Sequence, residues 1–375
     1  MTLQRNRSAV RRFSRLLKFS SLLQRIPDRV VPAPFRLMQI GSAFWQSRAL
    51  YVAARLDVAT LLGDEKQEID KIAAQLGVDE MALYRLMRML ASTGIFTEHP
   101  SGTFFNNRLS SPLRTDVANS IQPMILMHNS MEMSKPWFDA LESGVRSGKT
   151  PFLRTHGCEL FDYMDRHPEF DGLFSHAMDS MDALLGDSFS TDFDWGQFRR
   201  IIDVGGSKGA KSIAILKRYP ELEAIVVDRE QVISAAQQHW SGEGAEVLSR
   251  IQFKPGNVFD SLPGAQDDKD IYLLSAVLHS FSDDLACRAL KNLANTCVET
   301  GARIALLELI MPADRPDRAM TSVDMQMFVG TSGRERTARE WQKLYEMSGL
   351  CLDETVHLRS LGSIQVLMAR NSHLS

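Results

Sequence analysis

The chain has 375 residues, of which 44% are apolar and 24% charged, a composition typical of a soluble globular protein with two or three domains. A net charge of −3 argues against a protein whose whole surface binds nucleic acid. The sequence contains no run of about 18 apolar residues, so it predicts no membrane-spanning helix. The four cysteines are scattered and lack a C-x-x-C spacing, which argues against a disulfide scaffold and a structural zinc site. We therefore expect a reducing, cytoplasmic compartment.

Residues 1–35 form a basic arm, in which eight Arg and Lys side chains face a single acid, Asp28. The arm carries a charge of +7, and the rest of the chain carries −10. Leucine and phenylalanine side chains lie among these charges. The pattern leaves three interpretations open: a helical arm that packs across a dimer, a basic amphipathic helix on a membrane or a partner, and a mitochondrial transit peptide. Pro32 and Pro34 end the arm.

Residues 36–115 have a mainly helical pattern that ends in a hairpin. Apolar spacings of three and four predict a helix pair over residues 37–62. Two short helices follow on either side of Gly77, and Asp79 is placed to cap the second. The segment 95–105 predicts two strands joined by a turn. This order predicts a winged helix-turn-helix, and we expect it to serve dimerisation, because its exposed helix mixes acids and bases instead of presenting a basic face to DNA.

Residues 116–195 are predicted to form a second helical stretch with many methionines. Methionine is flexible and fills adaptable apolar pockets. Most of these side chains are expected to fill the core, but their density favours the wall of an apolar cavity. We select Met127, Met178 and Met181 as candidate substrate-binding residues.

Residues 196–375 alternate between apolar runs and helical segments. The runs that predict strands are 201–204, 224–228, 251–253, 271–274 and 304–308. Two further strand-like segments, 350–358 and 363–370, are separated by Gly362. The alternation predicts an α/β fold with a doubly wound, mainly parallel sheet. Since a final hairpin is antiparallel, we expect one terminal strand to run against the others.

A glycine-rich segment, 203–212, follows the first of these strands and opens a helix. Glycines let a ligand approach backbone amides at a helix N-terminus. Asp228 ends the next strand, where an acid can accept both hydroxyls of an adenosine ribose. Ala210 breaks the phosphate-binding loop pattern, and Ser207 departs from the dinucleotide pattern. An adenosine ligand without a pyrophosphate, such as S-adenosylmethionine, therefore fits the segment best.

Five motifs in order resemble those of the S-adenosylmethionine-dependent small-molecule O-methyltransferases, which include the caffeate and acetylserotonin methyltransferases. These motifs are the segments 203–212, 256–260, 278–284, 308–312 and 333–337. The resemblance spans residues 36–370. It implies a helical N-terminal dimerisation half, a Rossmann-like C-terminal half that binds S-adenosylmethionine, and an intertwined homodimer.

The resemblance also implies roles for individual residues. His279 matches the general base of the family, and Glu308 and Glu335 match the carboxylates that hold it. The matches to the cofactor site are Asp203, Gly205, Asp228, Asn257, Val258 and Ser275. Asp324 and Met327 fall in a stretch that lines the substrate pocket. A neutral histidine, with a pKa of about 6.5, is suited to take the proton from a phenol as its oxygen attacks the sulfonium methyl group.

Three serines and one asparagine depart from the family's pattern. Ser207 stands in place of a glycine, Ser275 in place of a lysine, and Asn257 and Ser280 in place of aspartates. These departures predict cofactor contacts that differ from those of the family. A second hypothesis is therefore kept, in which the fold binds S-adenosylmethionine but catalyses hydroxylation, decarboxylation or a pericyclic reaction. A winged-helix regulator with a ligand-binding half is a third hypothesis, which the near-neutral second helix disfavours.

The sequence thus predicts four segments: the basic arm 1–35, a winged-helix dimerisation domain 36–115, a helical substrate-lining linker 116–195, and a Rossmann-like catalytic domain 196–375. The expected enzyme is a cytoplasmic homodimer that methylates a hydroxyl of a small aromatic secondary metabolite. We expect it to use no metal, to bind no nucleic acid and to insert stably into no membrane.

Overall fold

The computed structural model describes residues 7–24, 26–100, 102–240 and 245–370. The described residues divide into two compact units. The unit that we call the sheet unit comprises Met1–Ser21, Leu141–Leu160 and Leu185–Ser375, and the helical unit comprises Leu22–Ala140 and Phe161–Leu184. No helix within the described ranges has the length and the apolar character needed to cross a membrane.

The elements follow in chain order. The helices are α1 (Arg7–Gln24), α2 (Ile26–Val30), α3 (Ala33–Gly41), α4 (Ala43–Arg55), α5 (Val58–Leu62), α6 (Ile69–Leu76), α7 (Glu80–Ser92), α8 (Gln122–Asn129), α9 (Met131–Asp139), α10 (Leu141–Ser147), α11 (Pro151–His156), α12 (Leu160–Arg166), α13 (Pro168–Leu185), α14 (Ser188–Asp192), α15 (Ala210–Arg218), α16 (Glu230–His239), α17 (Ala245–Leu248), α18 (Asp283–Cys297), α19 (Arg318–Gly330) and α20 (Ala338–Met347). The strands are β1 (Gln67–Glu68), β2 (Thr97–His99), β3 (Thr103–Phe105), β4 (Arg200–Val204), β5 (Glu223–Asp228), β6 (Ile251–Pro255), β7 (Asp270–Ser275), β8 (Arg303–Glu308), β9 (Ile310–Met311), β10 (Arg336–Thr337), β11 (Leu350–His357) and β12 (Ser363–Ala369).

The helical unit contains the predicted short helices and hairpin. Helix α6 ends before Gly77, which takes a left-handed φ of +66°, and the Asp79 side chain accepts the amide of Ala82 to cap α7. β2 and β3 pair antiparallel as expected. β1 also pairs with β3, but β1 has only two residues, which is too short for a sequence pattern to predict it. Three helices, α3 to α5, stand where the sequence predicted a helix pair. The helical conformation is interrupted at Ser42 and again at Asp57, whose φ is +53°. The winged-helix assignment of this unit remains a prediction.

The sheet unit is built on one sheet with the order β11-β12-β8-β7-β4-β5-β6 among the described strands. β4 to β8 are parallel, whereas β12 is antiparallel to both β8 and β11. This confirms the prediction of a mainly parallel sheet with an antiparallel terminal strand. Ile201 and Ile202 are both fully buried but belong to different apolar clusters. Since successive side chains of a strand point to opposite faces, both faces of the sheet are covered.

The parallel strands bring the predicted site residues to one edge of the sheet. Gly205 follows β4, Asp228 ends β5, Ser275 ends β7 and Glu308 ends β8. In open α/β sheets, ligands bind at the carboxyl ends of the strands. A short parallel pairing of β9 with β10, which the sequence analysis did not predict, joins the segment after Glu308 to the segment after Glu335.

The basic arm and the predicted linker are both helical where the structure describes them. The arm contains α1 and α2, and α3 begins at Ala33 with Pro34 in its first turn. Arg5 and Arg25 of the arm lie outside the described residues. The linker, 116–195, contains α8 to α14 and is divided between the two units.

Candidate active site

The loop after β4 packs tightly against its surroundings. Gly205 has a φ of +75°, and a Cβ added to it would lie 2.7 Å from Cγ2 of Val277. A Cβ on Gly206 would lie 2.6 Å from Cγ of Asp203. The Asp203 carboxylate is buried below the loop and accepts a hydrogen bond from the hydroxyl of Ser212 in α15 at 2.7 Å. The two glycines are therefore required by the close approach of the loop to both neighbours.

Asp228 lies beside this loop at the end of β5. One carboxylate oxygen accepts the amide of Ser207 and the other accepts the amide of Arg229, each at 2.7 Å. A carboxylate oxygen has two lone pairs, so it can accept more than one donor. The side chain is half-buried. Two neighbouring carboxylate oxygens are the acceptors that the two ribose hydroxyls of an adenosine group require, as the sequence predicted for S-adenosylmethionine.

Ser207 adopts a left-handed backbone, with a φ of +52°. The position where the family often has glycine is thus one that glycine fits best, and serine occupies it at a cost of about 1 kcal/mol. We expect Ser207→Gly to raise the free energy of unfolding by about 1 kcal/mol, because the strain is removed while the Asp228 hydrogen bond to the backbone amide is kept. Thermal and denaturant unfolding measure this change.

The control for this prediction is Ser249→Gly. Ser249 is exposed and its backbone does not have a positive φ, so glycine there is expected to lower the free energy of unfolding. If both variants are destabilised alike, the left-handed backbone at Ser207 carries no strain.

The remaining predicted cofactor residues also lie at this edge of the sheet. Asn257 is exposed after β6, and its side-chain oxygen accepts the amide of Phe259 at 2.8 Å. Val258 is buried in the core, and its carbonyl accepts the side-chain amide of Asn292 at 2.8 Å. Ser275 is half-buried at the end of β7. Their contacts with a cofactor remain predictions.

The three predicted catalytic residues lie close together. His279 is carried by a 3-10 turn, Leu278–Ser280, which follows β7. Its Nδ1 lies 2.8 Å from Oε1 of Glu335 and 4.0 Å from Oε2 of Glu308. A carboxylate only accepts hydrogen bonds, so Nδ1 is the donor to Glu335, and in the neutral ring the free lone pair lies on Nε2. The ring is thereby prepared to accept a proton at Nε2.

The charges around His279 change its proton affinity. Burial lowers the pKa of His279, but the carboxylates of Glu308 and Glu335 outweigh burial and hold that pKa above its ordinary value. Burial also raises the pKa of Glu308, an effect that the nearby imidazole partly offsets. Both carboxylates are almost fully buried, so solvent screens these interactions little.

Glu308 holds the backbone of the turn more directly than the ring. Its Oε1 accepts the amides of Val277 at 3.1 Å and Leu278 at 2.9 Å. These are the backbone amides of the two residues that precede His279. Glu335 thus orients the ring, and Glu308 fixes the chain that leads into it.

The predicted substrate-binding residues lie on three helices. In the sheet unit, α19 carries Asp324 and Met327, and Asp324 accepts the backbone amide of Glu335 at 2.9 Å. In the helical unit, Met127 is buried on α8, and Met178 and Met181 are half-buried on α13. Their contacts with an acceptor remain predictions.

Two residues at this site were given no role by the sequence. A Cβ on Gly333 would lie only 1.9 Å from the carbonyl oxygen of His279, so this glycine lies directly against the histidine turn. Arg336 is fully buried beside the same turn. Both belong to the motif 333–337, but a glycine and an arginine in an irregular segment carry no periodic signal for burial. In the part of the chain that the structure describes, no group of three or more His, Cys, Asp or Glu is arranged to hold a metal ion.

Comparison with known proteins places this geometry in a family. Residues 38–116 match the model of the O-methyltransferase dimerisation domain, and residues 138–351 match that of the O-methyltransferase domain. The chain is 31% identical over 340 residues to a phenazine O-methyltransferase of Lysobacter antibioticus, covering 91% of this chain and 97% of that protein. It is 28% identical over 331 residues to a 3-amino-4-hydroxybenzoate 4-O-methyltransferase of Streptomyces cremeus, covering 86% of this chain and 87% of the other.

The fold agrees with the sequence match. The crystal structure of human N-acetylserotonin methyltransferase in complex with S-adenosylmethionine has a TM-score of 0.80 and 25% sequence identity to this chain, covering 91% of it and 99% of the human chain. The mainly parallel sheet was expected from the alternation of strands and helices, and the resemblance implied the N-terminal dimerisation half. The chain therefore belongs to the S-adenosylmethionine-dependent O-methyltransferases, with an N-terminal dimerisation domain and a C-terminal catalytic domain.

Proposed function

We propose that His279 is the general base of this enzyme and that the acceptor is a hydroxyl group on a small, flat aromatic metabolite. The hydrogen bond from His279 Nδ1 to Glu335, at 2.8 Å, is the observation that supports the base assignment. The turn that carries His279 is also close to the cofactor loop, because Val277 packs against Gly205. The proton acceptor and the predicted cofactor site thus share one edge of the sheet.

The chain's own residues account for the proton transfer. Bound S-adenosylmethionine supplies a methyl group that is already activated by a positively charged sulfur. An aromatic hydroxyl has a pKa of about 10 and is a weak nucleophile at neutral pH. Nε2 of His279 takes the hydroxyl proton as the oxygen forms its bond to the methyl carbon, and the electrons of the broken bond return to sulfur. Glu335 stabilises the imidazolium that results.

The nature of the acceptor rests on two supports. The names of two relatives refer to a phenazine and to a hydroxybenzoate, which are flat aromatic compounds. Within the sheet unit, Met327 on α19 offers adaptable apolar surface for such a ring. The acceptor roles of Met127, Met178 and Met181 are proposed from the sequence alone. We propose that the reaction uses no metal. The positively charged sulfur already activates the methyl group, and His279 accepts the proton of the hydroxyl.

We further propose a cytoplasmic homodimer that binds no nucleic acid, organised as the basic arm 1–35, the winged-helix domain 36–115, the linker 116–195 and the catalytic domain 196–375. The match to a dimerisation domain supports the homodimer. Near-equal numbers of acids and bases on the exposed face of α7 argue against binding to DNA.

Calorimetric titration with S-adenosylmethionine and S-adenosylhomocysteine, followed by an assay with hydroxylated aromatic acids, tests the proposal. We expect both compounds to bind, and each methylated product to appear with one equivalent of S-adenosylhomocysteine. Product formed without S-adenosylhomocysteine would contradict methyl transfer and favour the other chemistries known for such folds. No binding of either compound would mean that the serines at 207 and 275 have altered the cofactor site beyond use.

The pH dependence of the reaction follows from the charges at His279. The base must be neutral to act, so kcat/KM is expected to fall as the pH drops through a pKa above the ordinary value of 6.5. Among the described residues, the charged groups that act on the ring are Glu308, Glu335 and Arg336. Glu335→Gln removes a carboxylate that favours the protonated ring, so the acid limb is expected to move to lower pH and kcat to fall.

The control is Glu346→Gln, an exposed glutamate on α20 whose side chain meets Gln342. Its acid limb is expected to match that of the unaltered enzyme. An acid limb that stays in place in Glu335→Gln would show that the limb reports another group.

A further inference from the structure

Arg336 is the first residue of β10, and its guanidinium is completely buried beside the histidine turn. Nη1 donates to the carbonyl of Leu278 at 2.9 Å, and Nη2 donates to the carbonyl of Phe281 at 2.7 Å. Nε donates to the carboxylate of Asp283 at 2.9 Å, and the guanidinium carbon lies 5.1 Å from the ring centre of Trp341. The planar fork of an arginine is required to reach these acceptors together.

The two carbonyls that Arg336 binds lie on either side of His279. That of Leu278 belongs to the peptide group that leads into His279, and that of Phe281 lies two residues beyond it. Glu308 accepts the backbone amides of Val277 and Leu278. The backbone around the base is thus fixed through its amides by one buried side chain and through its carbonyls by another.

A structural role alone does not account for this arrangement. A buried ion pair is weak evidence for stability, because apolar residues of similar volume are often as stable or more so. Arg336 donates to the histidine turn at Leu278, to Phe281 directly after the turn, and to Asp283, the first residue of α18. Its hydrogen bonds are therefore concentrated on the segment that determines where the base lies.

We propose that Arg336 is a positioning residue for His279: by fixing the carbonyls of Leu278 and Phe281, it sets the direction in which Nε2 of His279 meets the acceptor hydroxyl. This inference rests on the proposed role of His279 as the base. Proton transfer requires the base within hydrogen-bond reach of the proton, so a small rotation of the turn is enough to slow the reaction.

Arg334 provides a matched control in the same loop. It also pairs with Asp283, at 2.8 Å, and it binds Glu340 in the capping box of α20. Its side chain is 41% exposed, compared with 0% for Arg336. Arg334 thus shares the loop, the charge and one partner with Arg336, but it donates to the carboxylates of Asp283 and Glu340 instead of to the carbonyls of Leu278 and Phe281.

The test compares Arg336→Lys with Arg334→Lys in the full-length enzyme. Lysine keeps the charge but cannot reach both carbonyls in a fixed geometry. We expect kcat of Arg336→Lys to fall by about 10- to 100-fold, since a displacement of about 1 Å has effects of this size. The affinity for S-adenosylmethionine, measured by calorimetry, is expected to stay unchanged and to report that the catalytic domain is folded. Arg334→Lys is expected to keep the original kcat.

The pH profile separates positioning from charge. Since the Arg336 guanidinium opposes protonation of His279, Arg336→Met is expected to move the acid limb of kcat/KM to higher pH, whereas Arg336→Lys is expected to lower kcat without moving that limb. A purely structural role predicts lower stability in both variants and an unchanged kcat for the folded Arg336→Lys enzyme. If Arg336→Lys does not fold, Arg336→Gln takes its place, because its amide can still donate to one carbonyl and carries no buried charge.

The outcomes distinguish this inference from the proposed function. Unchanged kcat and KM in Arg336→Lys, together with an inactive His279→Ala, would overturn the positioning role and leave the base assignment in place. An active His279→Ala would overturn the base assignment, and the positioning role with it. Equal losses in Arg336→Lys and Arg334→Lys would show that the loop acts through general stability and would also overturn the inference.

Discussion

Replacing His279 with alanine is expected to lower kcat by about 10²- to 10⁴-fold, the usual contribution of a general base. The hydroxyl proton then has no acceptor within reach, while the cofactor loop and Asp228 are left intact. The affinity for S-adenosylmethionine is therefore expected to stay unchanged. Single-turnover formation of S-adenosylhomocysteine with an aromatic acceptor measures the chemical step, and calorimetry measures cofactor binding.

Raising the pH provides a second measure of the same role. An aromatic hydroxyl ionises at a pH of about 10, and the ionised oxygen needs no base to remove its proton. The rate of His279→Ala is therefore expected to recover as the acceptor ionises. The control is His357→Ala, since His357 lies on β11 and its ring meets Ser363. This variant is expected to keep the original rate. Full activity of His279→Ala at neutral pH would contradict the base assignment.

The sheet was predictable because its strands are long enough to show a pattern. β4, β5, β7 and β8 are five- or six-residue apolar runs between amphipathic helices, and these two features together predict a parallel sheet. β9 and β10 have two residues each, which is too short for any periodicity. Their pairing is nevertheless what brings the segment of Glu335 next to that of Glu308.

The site was predictable only in part. The glycines, Asp228 and the strand order point to the adenosine site by spacing alone, whereas the roles of His279 and the two glutamates came from the family resemblance. Arg336, which binds the histidine turn, and Gly333, which packs against it, were missed. An arginine in a sequence is expected on the surface, since a buried guanidinium requires partners that lie far away in the chain. Leu278 and Arg336 are 58 residues apart.

Replacing Gly333 with alanine is expected to damage both stability and catalysis. The added Cβ would lie 1.9 Å from the carbonyl oxygen of His279 and 2.5 Å from the carbonyl carbon of Ser280, and both are backbone atoms of the turn. Forcing a methyl group into a packed site costs typically about 1–3 kcal/mol. The turn and the loop must also separate by about 1 Å, a displacement that can lower a rate by about 100-fold.

The matched control is Gly264→Ala in the same unit. A Cβ at Gly264 meets nothing within 4 Å, and this glycine has no positive φ, so alanine is expected to be tolerated. Thermal unfolding, kcat and the affinity for S-adenosylmethionine are measured for both variants. A loss of kcat in Gly333→Ala with the cofactor affinity retained would place the damage at His279. Since the cofactor loop contacts the same turn through Val277, a parallel loss of affinity would mean that the displacement extends to Gly205. An unchanged kcat would mean that the base tolerates displacement, which would contradict the requirement for a fixed His279 turn.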